Sequence, residues 1–356
     1  MNRNFARRAR KRLGRVALMW RRHGVALLYH RVADIPSDPF RLTVTPSHFA
    51  EHMAVLRGLG PCLPFDAFAR GLVSGGGARR MFCVTFDDGY RDNLLAAAPV
   101  LAAAGVPATV FVVSGAVGAG RMFWWDTLQR ILLTPGALPE TLELSSRGET
   151  RRWSLGAARI YDAGEARANA GWNALSEPPR DARQTLFFDL WKWLAPAPTD
   201  EAERLADALA AWSGVARSAY PEDHPMTADE LNRLAAVEGI EIGGHTVTHP
   251  RLAPLPPARR LAEMRDSRLQ LQAMTGRDVR SLAYPYGSES ADTAQLAAEA
   301  GYAAACTTRE DVAMMRTNPL RIPRLVARDW DGDEFARQIR RLISFLPQGR
   351  FAGRSR

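Results

Sequence analysis

Long apolar runs are missing from this chain of 356 residues. No stretch reaches the ~18 uninterrupted apolar residues that mark a membrane-spanning helix, so none is expected. Cysteine is scarce. Cys62, Cys83 and Cys306 are widely spaced and odd in number, and fit neither a disulfide framework nor a cysteine metal site. That usage suggests a reducing compartment. Lysine is nearly absent. Lys11 and Lys192 are the only two, so the net charge of +9 is an arginine charge. Histidine occupies only seven positions, none of them after His249. There is no internal repeat and no long low-complexity segment.

What is present is an apolar fraction of 46%, enough for a sizeable core in one large domain or two small ones. Much of the excess positive charge lies at the front, in MNRNFARRARKRLGRVALMWRRHG. The apolar run VALMW is short for a signal peptide, and Arg21 and Arg22 stand where a small-residue cleavage site belongs. Residues 1–23 read either as a solvated tail or as a basic amphipathic helix, with Phe5, Leu13, Val16 and Trp20 near one face. The helix would suit peripheral contact with an anionic membrane. The basic residues are not interleaved with aromatics on a recognisable module, so no nucleic-acid partner is expected. The expected location is cytoplasmic, at the inner membrane surface if the helix forms. Residues 347–356 read as a short basic C-terminal tail.

From Gly24 onward, apolar strands alternate with amphipathic helices. GVALLYHRV, MFCVTF, PATVFVVSG, IEIGGH, RSLAYPYG, YAAACTT and RIPRLVA read as strands. PSHFAEHMAVLRGLG, RDNLLAAAPVLAAAG, TADELNRLAAVEG, PPARRLAEMRDSRLQLQAMTG, TAQLAAEAG and DGDEFARQIRRLISFL read as helices. Several carry start and stop signals, such as the capping box of Thr227 with Glu230. Continuous apolar strands separated by helices predict a parallel sheet, open or closed into a barrel. The rhythm stops between about 120 and 225. That segment holds seven of the nine tryptophans and reads as a mostly helical insertion. Its tryptophans form either a small core or a lid whose aromatic faces, Trp124 and Trp125 among them, stack on sugar rings.

Polar motifs fall at four predicted strand ends, where a parallel barrel gathers its chemistry. They are Tyr29-His30-Arg31, Asp87-Asp88-Gly89, His245-Thr246-Val247-Thr248-His249 and Tyr284-Pro285-Tyr286-Gly287. Each alone has a plain reading as a turn, a chance histidine pair or a proline-fixed loop. Two adjacent carboxylates ending a buried strand are costly, and a divalent metal would offset them. The H-x3-H spacing predicts two imidazoles on one side of a helical turn, converging on one ion. One carboxylate with two histidines leaves coordination positions open. The other carboxylate is then free to act as a general base.

TFDDG, then HTVTH, then AYPYG, in that order on β/α units, resembles the polysaccharide deacetylase family, family 4 of the carbohydrate esterases. The resemblance spans about Val25 to Leu346, apart from the insertion. It implies a distorted (β/α) barrel of about seven parallel strands. It also implies a divalent ion, Zn2+ first, with Co2+, Ni2+ or Fe2+ as alternatives. Asp88, His245 and His249 would hold the ion and Asp87 would be the general base. Thr246 would brace the histidine loop, and the Tyr286 N–H would help hold the oxyanion. Tyr284 and Tyr286 would contact substrate, joined by Trp124 and Trp125 if the insertion, which lies outside the resemblance, acts as a lid.

Two departures matter. Members of usual order carry a late catalytic histidine, and none is present here. His30 is assigned as the general acid instead, because the first and last strands of a closed barrel are neighbours, and His224 is the fallback. Members also often have arginine where this chain has Ala283. Arg324 and Arg280 are candidates to pair with Asp87, Arg324 preferred. The expected activity is removal of an N-acyl group, most naturally acetyl, from an amino sugar in a polysaccharide or lipid-linked precursor. The alternatives are hydrolysis of a non-sugar amide or ureide, or a silent barrel that only binds.

Overall fold

In the computed structural model, which describes residues 23–74 and 78–344, seven apolar runs form the staves of one ring. They are β1 (His23–Tyr29), β2 (Arg80–Phe86), β3 (Ala108–Val112), β4 (Ile240–Gly244), β5 (Ser281–Ala283), β6 (Ala304–Cys306) and β7 (Arg324–Val326). Parallel pairing runs from β1 through β6 in order. β7 then lies parallel to β1, with Ala26 opposite Arg324 and Leu28 opposite Val326. The gap between β6 and β7 is bridged just before β7. There the Ile322 N–H donates to the Ala305 carbonyl and the Thr307 N–H to the Ile322 carbonyl, both at 2.9 Å. A two-residue strand, Ala313–Met314, pairs antiparallel with the start of β1. This is the expected distorted (β/α) barrel, with its first and last strands adjacent.

β1 is buried along its whole length, and β2 from Met81 on, as the apolar runs require. Side chains alternate across each strand. On β2, Phe82, Val84 and Phe86 join the core under the outer helices, while Met81 and Cys83 face a second core inside the ring. Phe65, Phe68 and Phe111 fill that interior. A Cβ added at Gly243 would lie 2.4 Å from the Phe111 ring, so glycine there makes room for the plug. Asp87 continues the inward phase of 81, 83 and 85, and so emerges at the open end.

The barrel helices are α1 (Pro46–Leu59), α2 (Phe65–Ser74), α3 (Ala98–Ala104), α4 (Ala228–Ala235), α5 (Pro257–Thr275), α6 (Ala291–Glu299) and α7 (Gly332–Ser344). The Thr227–Glu230 capping box opens α4 as expected. One helix departs from the pattern. Asn93–Ala97 is a π-helical turn ahead of α3. Pro99 has no N–H to continue the ladder, and the wider turn absorbs the mismatch.

The insertion is mostly helical, and it also carries short strands. Thr141–Ser146 and Glu149–Ser154 form an antiparallel hairpin. Its signal is a period of two, with Leu142, Leu144 and Ser146 buried and Glu143 and Ser145 exposed. Arg147 and Gly148 turn it at φ 51° and 76°, the left-handed pair that a tight hairpin favours. Helices Trp124–Leu132, Ala182–Leu194 and Thr199–Ser213 complete a separate core containing Trp124, Trp172 and Trp193. The arginine-rich front, residues 1–22, and the tail at 347–356 lie outside the described residues.

Candidate active site at the carboxyl ends of the strands

The Asp87 carboxylate is locked from below. Arg324, fully buried on β7, reaches through the ring and meets it with two parallel hydrogen bonds. Nη1 lies 2.7 Å from Oδ1 and Nη2 lies 2.7 Å from Oδ2. The same guanidinium donates to Thr85 Oγ1 at 3.0 Å and to the Thr307 carbonyl at 2.9 Å. Burial pushes the Asp87 carboxyl up, but the Arg324 charge, the His245 charge and the Arg324 hydrogen bonds together outweigh it and hold the group below the usual carboxylate range. The arginine missing ahead of the YPYG loop is thus replaced from β7. Arg280, the other candidate, points elsewhere and pairs with Asp66 at 3.3 Å and Asp278 at 3.5 Å.

Asp88 turns away from its neighbour and faces the histidines. Its Oδ1 is 3.5 Å from His245 Nε2 and 3.4 Å from His249 Nε2. Three ligands at ~2.1 Å around a tetrahedral ion stand about 3.4 Å apart, so these separations suit Zn2+ or a similar divalent ion. All three are buried, and one ligand atom from each lies within 4.8 Å of the others. The tautomer also fits. His245 Nδ1 is 2.8 Å from the Ala283 carbonyl, which only accepts, so Nδ1 carries the proton and Nε2 presents its lone pair inward. Burial lowers His249 to about 3, opposed by Asp88, so that ring is neutral near pH 7. Burial pushes the Asp88 carboxyl up, and the imidazoles of His245, His249 and His30 around it together outweigh that and hold it low.

The two histidines do not sit on a helical turn, contrary to expectation. His245 to His249 is an irregular loop, with Thr246 at φ 66° and His249 at φ 58°. Side-chain bonds replace the helix. The His249 N–H donates to Thr246 Oγ1 at 3.0 Å, so Thr246 braces the loop as expected. Glu263 on α5 does more of the holding. Its carboxylate accepts from the Val247 and Thr248 N–H groups at 3.0 Å each and from Thr248 Oγ1 at 2.7 Å. Nothing in the spacing of Glu263 announces that role.

His30 follows β1 and lines the cleft that begins at Asp88. It is half-buried, and its Nδ1 has no hydrogen-bond partner. Burial lowers its pKa, opposed by the charges of Asp88 and Asp87. His224, the fallback acid, lies beside Asp223, which is engaged by Arg31 at 2.6 Å and by Arg130. Tyr286 borders the metal ligands, its ring 4.7 Å from that of His249. No acceptor among the described residues takes the Tyr286 N–H.

Two assigned substrate contacts need correction. Tyr284 is wholly buried in the outer core, and its hydroxyl donates to the Leu320 carbonyl at 3.0 Å. In YPYG only the second tyrosine turns to the mouth. Trp124 is 3% exposed within the core of the insertion. Trp125 does reach the site, 5.0 Å from the His249 ring. Its indole N–H donates to the Tyr90 hydroxyl at 2.7 Å, which donates to Asp126 Oδ2 at 2.8 Å. That chain was not foreseen. Asp126 is buried next to Arg31, and burial carries its carboxyl up to about 8 despite that charge.

The comparisons agree with this geometry. The sequence profile of the family described as polysaccharide deacetylase matches residues 74–138 and 189–305, just over half of the chain. The unmatched stretch between holds the hairpin of the insertion. YxkH of Bacillus subtilis (strain 168), provisionally named a polysaccharide deacetylase, is 30% identical over 90 residues, 25% of this chain and 32% of that protein. The chain thus spans about a third of the length of that relative. Two solved structures share the fold. One is the Streptococcus pyogenes deacetylase PplD in complex with acetate, with TM-score 0.54, 17% identity, and coverage of 89% of this chain and 98% of that one. The other is IcaB from Ammonifex degensii, with TM-score 0.54, 16% identity, and coverage of 91% and 97%. The chain belongs to the polysaccharide deacetylase family, hydrolases of amide bonds other than peptide bonds.

Proposed function

We propose that this protein removes an acetyl group from the nitrogen of an amino sugar in a polysaccharide or a glycan precursor, with a divalent ion held by Asp88, His245 and His249. One observation carries the reading. Of two adjacent carboxylates, Asp88 faces two histidines while Asp87 is gripped by Arg324 on both oxygens. That splits ligand from base. A bound divalent ion supplies Lewis-acid and water-activating chemistry at this point.

The chain's own residues do the rest. Asp87, ionised at neutral pH, accepts a proton from the attacking water. The Tyr286 N–H is available to the carbonyl oxygen as negative charge develops there. His30 delivers a proton to the nitrogen as the C–N bond breaks, which leaves acetate and the free amine. Its lowered pKa makes the ring neutral between turnovers. The proton it delivers is therefore the one the water released, passed on from Asp87.

A lipid-linked precursor on the cytoplasmic side of a membrane is the finer form of this reading. The arginine-rich segment 1–23 supports it, since such a segment suits an anionic surface. The test is acetate release by zinc-loaded protein from a panel of N-acetyl sugars and lipid-linked glycans. Asp87→Asn should abolish release while zinc stays bound. Zinc binding with no release from any member would sink the sugar substrate.

A further inference from the structure

The His30 ring is not aimed through its Nδ1, which is buried with no partner among the described residues. A carbonyl such as the one that fixes His245 Nδ1 is missing here. The backbone around His30 is pinned instead. The Asp87 N–H donates to the Tyr29 carbonyl at 3.0 Å, just before it. Asn93 Nδ2 donates to the carbonyl of His30 itself at 2.9 Å. The Val32 N–H donates to Asp92 Oδ1 at 3.2 Å, just after it. Arg31, between them, gives its Nε to Asp92 Oδ2 at 2.8 Å.

All of these partners come from the short stretch after β2 that also carries the metal ligand Asp88. The acid is thus tied to the segment that bears the base. On its far side Arg31 is held where the insertion rejoins the barrel, by Asp223 Oδ1 at 2.6 Å and the Glu222 carbonyl at 2.9 Å. Asp92 and Asn93 are both buried, so water cannot stand in for them. A carbonyl only accepts, so the Asn93 amide nitrogen must be the end that faces His30. The same nitrogen reaches Asp92 Oδ1 at 3.0 Å, while Asn93 Oδ1 is left buried without a partner. Folding alone does not call for that unpaired oxygen, which costs stability. Asn93 also opens the π-helical turn Asn93–Ala97, a feature frequent at functional sites.

We propose that Asp92 and Asn93 are positioning residues for the reaction. They fasten the His30 backbone to the Asp87–Asp88 segment, and so set the distance of the acid from the leaving nitrogen while its ring stays free of a bond at Nδ1. This rests on the assignment of His30 as the acid given above. The competing account is a fastening that only stabilises the loop.

Asn93→Ala removes the donors to His30 and Asp92 and leaves the His30 ring in place. Asp92→Asn keeps the shape and an acceptor for the Val32 N–H but loses the charge that holds Arg31. The full chain, loaded with zinc, is assayed on 4-methylumbelliferyl acetate and on the N-acetyl glycan of the panel above with the fastest acetate release. A displacement of ~1 Å can cost about 10²-fold, so Asn93→Ala should lower kcat on the glycan by roughly 10–10²-fold, with KM little changed and zinc content normal. The loss on the ester should be clearly smaller, because its leaving group depends less on protonation. Asp92→Asn should repeat the split more weakly. In a His30→Ala background Asn93→Ala should cost nothing further, because both changes act at one group. Equal losses on glycan and ester, or losses that multiply in the double variant, overturn the proposal and leave a structural fastening. If His30→Ala shows the split and neither Asn93→Ala nor Asp92→Asn does, the positioning role alone falls. If His30→Ala shows no split, the acid and its positioning fall together. No release by the parent from any glycan removes the proposed function and this role with it. Should Asn93→Ala fail to fold, the split in Asp92→Asn decides.

Discussion

Replacing Arg324 with methionine isolates the grip on Asp87. Methionine is about as long and fits an apolar interior, so the change removes charge and donors with little loss of volume. Three acceptors lose their partner together: the Asp87 carboxylate, Thr85 Oγ1 and the Thr307 carbonyl. Asp87 is only 2% exposed, so water cannot take the arginine's place. Breaking a buried pair from one side costs about 3–5 kcal/mol. The cost should depend on pH, and its sign can be worked out. In the parent, the Asp87 pKa is depressed, so its contribution to stability is present above the unfolded value of ~4 and lost only in strong acid. In the variant, burial acts almost alone and raises the pKa. Stability is then present below ~4 and lost as pH rises through the new value. Protonated His245, 3.9 Å away, offers partial relief on the acid side, in the same direction. Urea unfolding of metal-free protein should show a modest penalty at pH 5 and the larger one at pH 8. Adding Asp87→Asn should recover most of the loss at pH 8, because the stranded charge is gone. An equal penalty at both pH values, or a double variant as unstable as the single one, would refute the reasoning.

Three further outcomes are expected. His249→Ala should strip the metal measured by atomic emission after gentle purification, together with acetate release; unchanged metal content would mean the ligand set is wrong. His30→Ala should lower amide turnover by ~10²–10⁴ with normal metal content, and by less on an aryl ester, whose leaving group depends less on protonation. Equal losses on amide and ester would remove His30 as the acid. Asp126, raised to about 8 by burial against the pull of Arg31, with Asp223 and Asp88 adding to the rise, contributes stability that is lost as pH climbs from ~4 to about 8. Asp126→Asn keeps an acceptor for Tyr90 and should flatten the pH dependence of the melting temperature between pH 5 and 9; an unchanged slope counts against the raised pKa.

The barrel was legible because its strands are buried on both faces. MFCVTF and VALLY have no solvent side, so apolar continuity is their signature. Asp87, Asp88, His245 and His249 were legible because polar residues at the ends of such strands have few structural uses. The partnership of Arg324 with Asp87 was within reach only through topology. The two residues are far apart in the chain, and closure between β1 and β7 brings their strands to one ring. Glu263 was out of reach, since an acidic residue on a long amphipathic helix looks like any solvated position. Tyr284 and Tyr286 differ by two places in a proline-fixed loop, and their composition is identical. What separates them is backbone. Tyr286 adopts φ 57°, which swings its ring to the mouth, while Tyr284 stays extended at φ −81° and points into the core.

The same kind of backbone explains how adjacent carboxylates serve one site. In a continuing strand, neighbours project to opposite faces. Asp87 points inward to Arg324, so a regular Asp88 would point out toward the helices. Instead Asp88 sits at φ 73° and Gly89 follows at φ 78°. The chain curls back, and both carboxylates face the mouth. Thr246, His249 and Tyr286 are also left-handed, at φ 66°, 58° and 57°. Such conformations cost of order 1–3 kcal/mol each in non-glycine residues and persist only where the surroundings over-determine them. Here the surroundings are on view. Gly89 fits tightly against Val112, where a Cβ would lie 3.1 Å from Cγ1. Glu263 and Thr246 hold the histidine loop with four hydrogen bonds, and Arg251 lies 4.4 Å over the Tyr286 ring. For β-branched Thr246 the conformation is hardest to reach unaided. Its hydroxyl, which accepts from the His249 N–H, accounts for a threonine rather than a glycine at that point. The burial of the barrel thus supports strain that no single motif in the sequence displays, and the strain is what aims Asp88, His245 and His249 at one point.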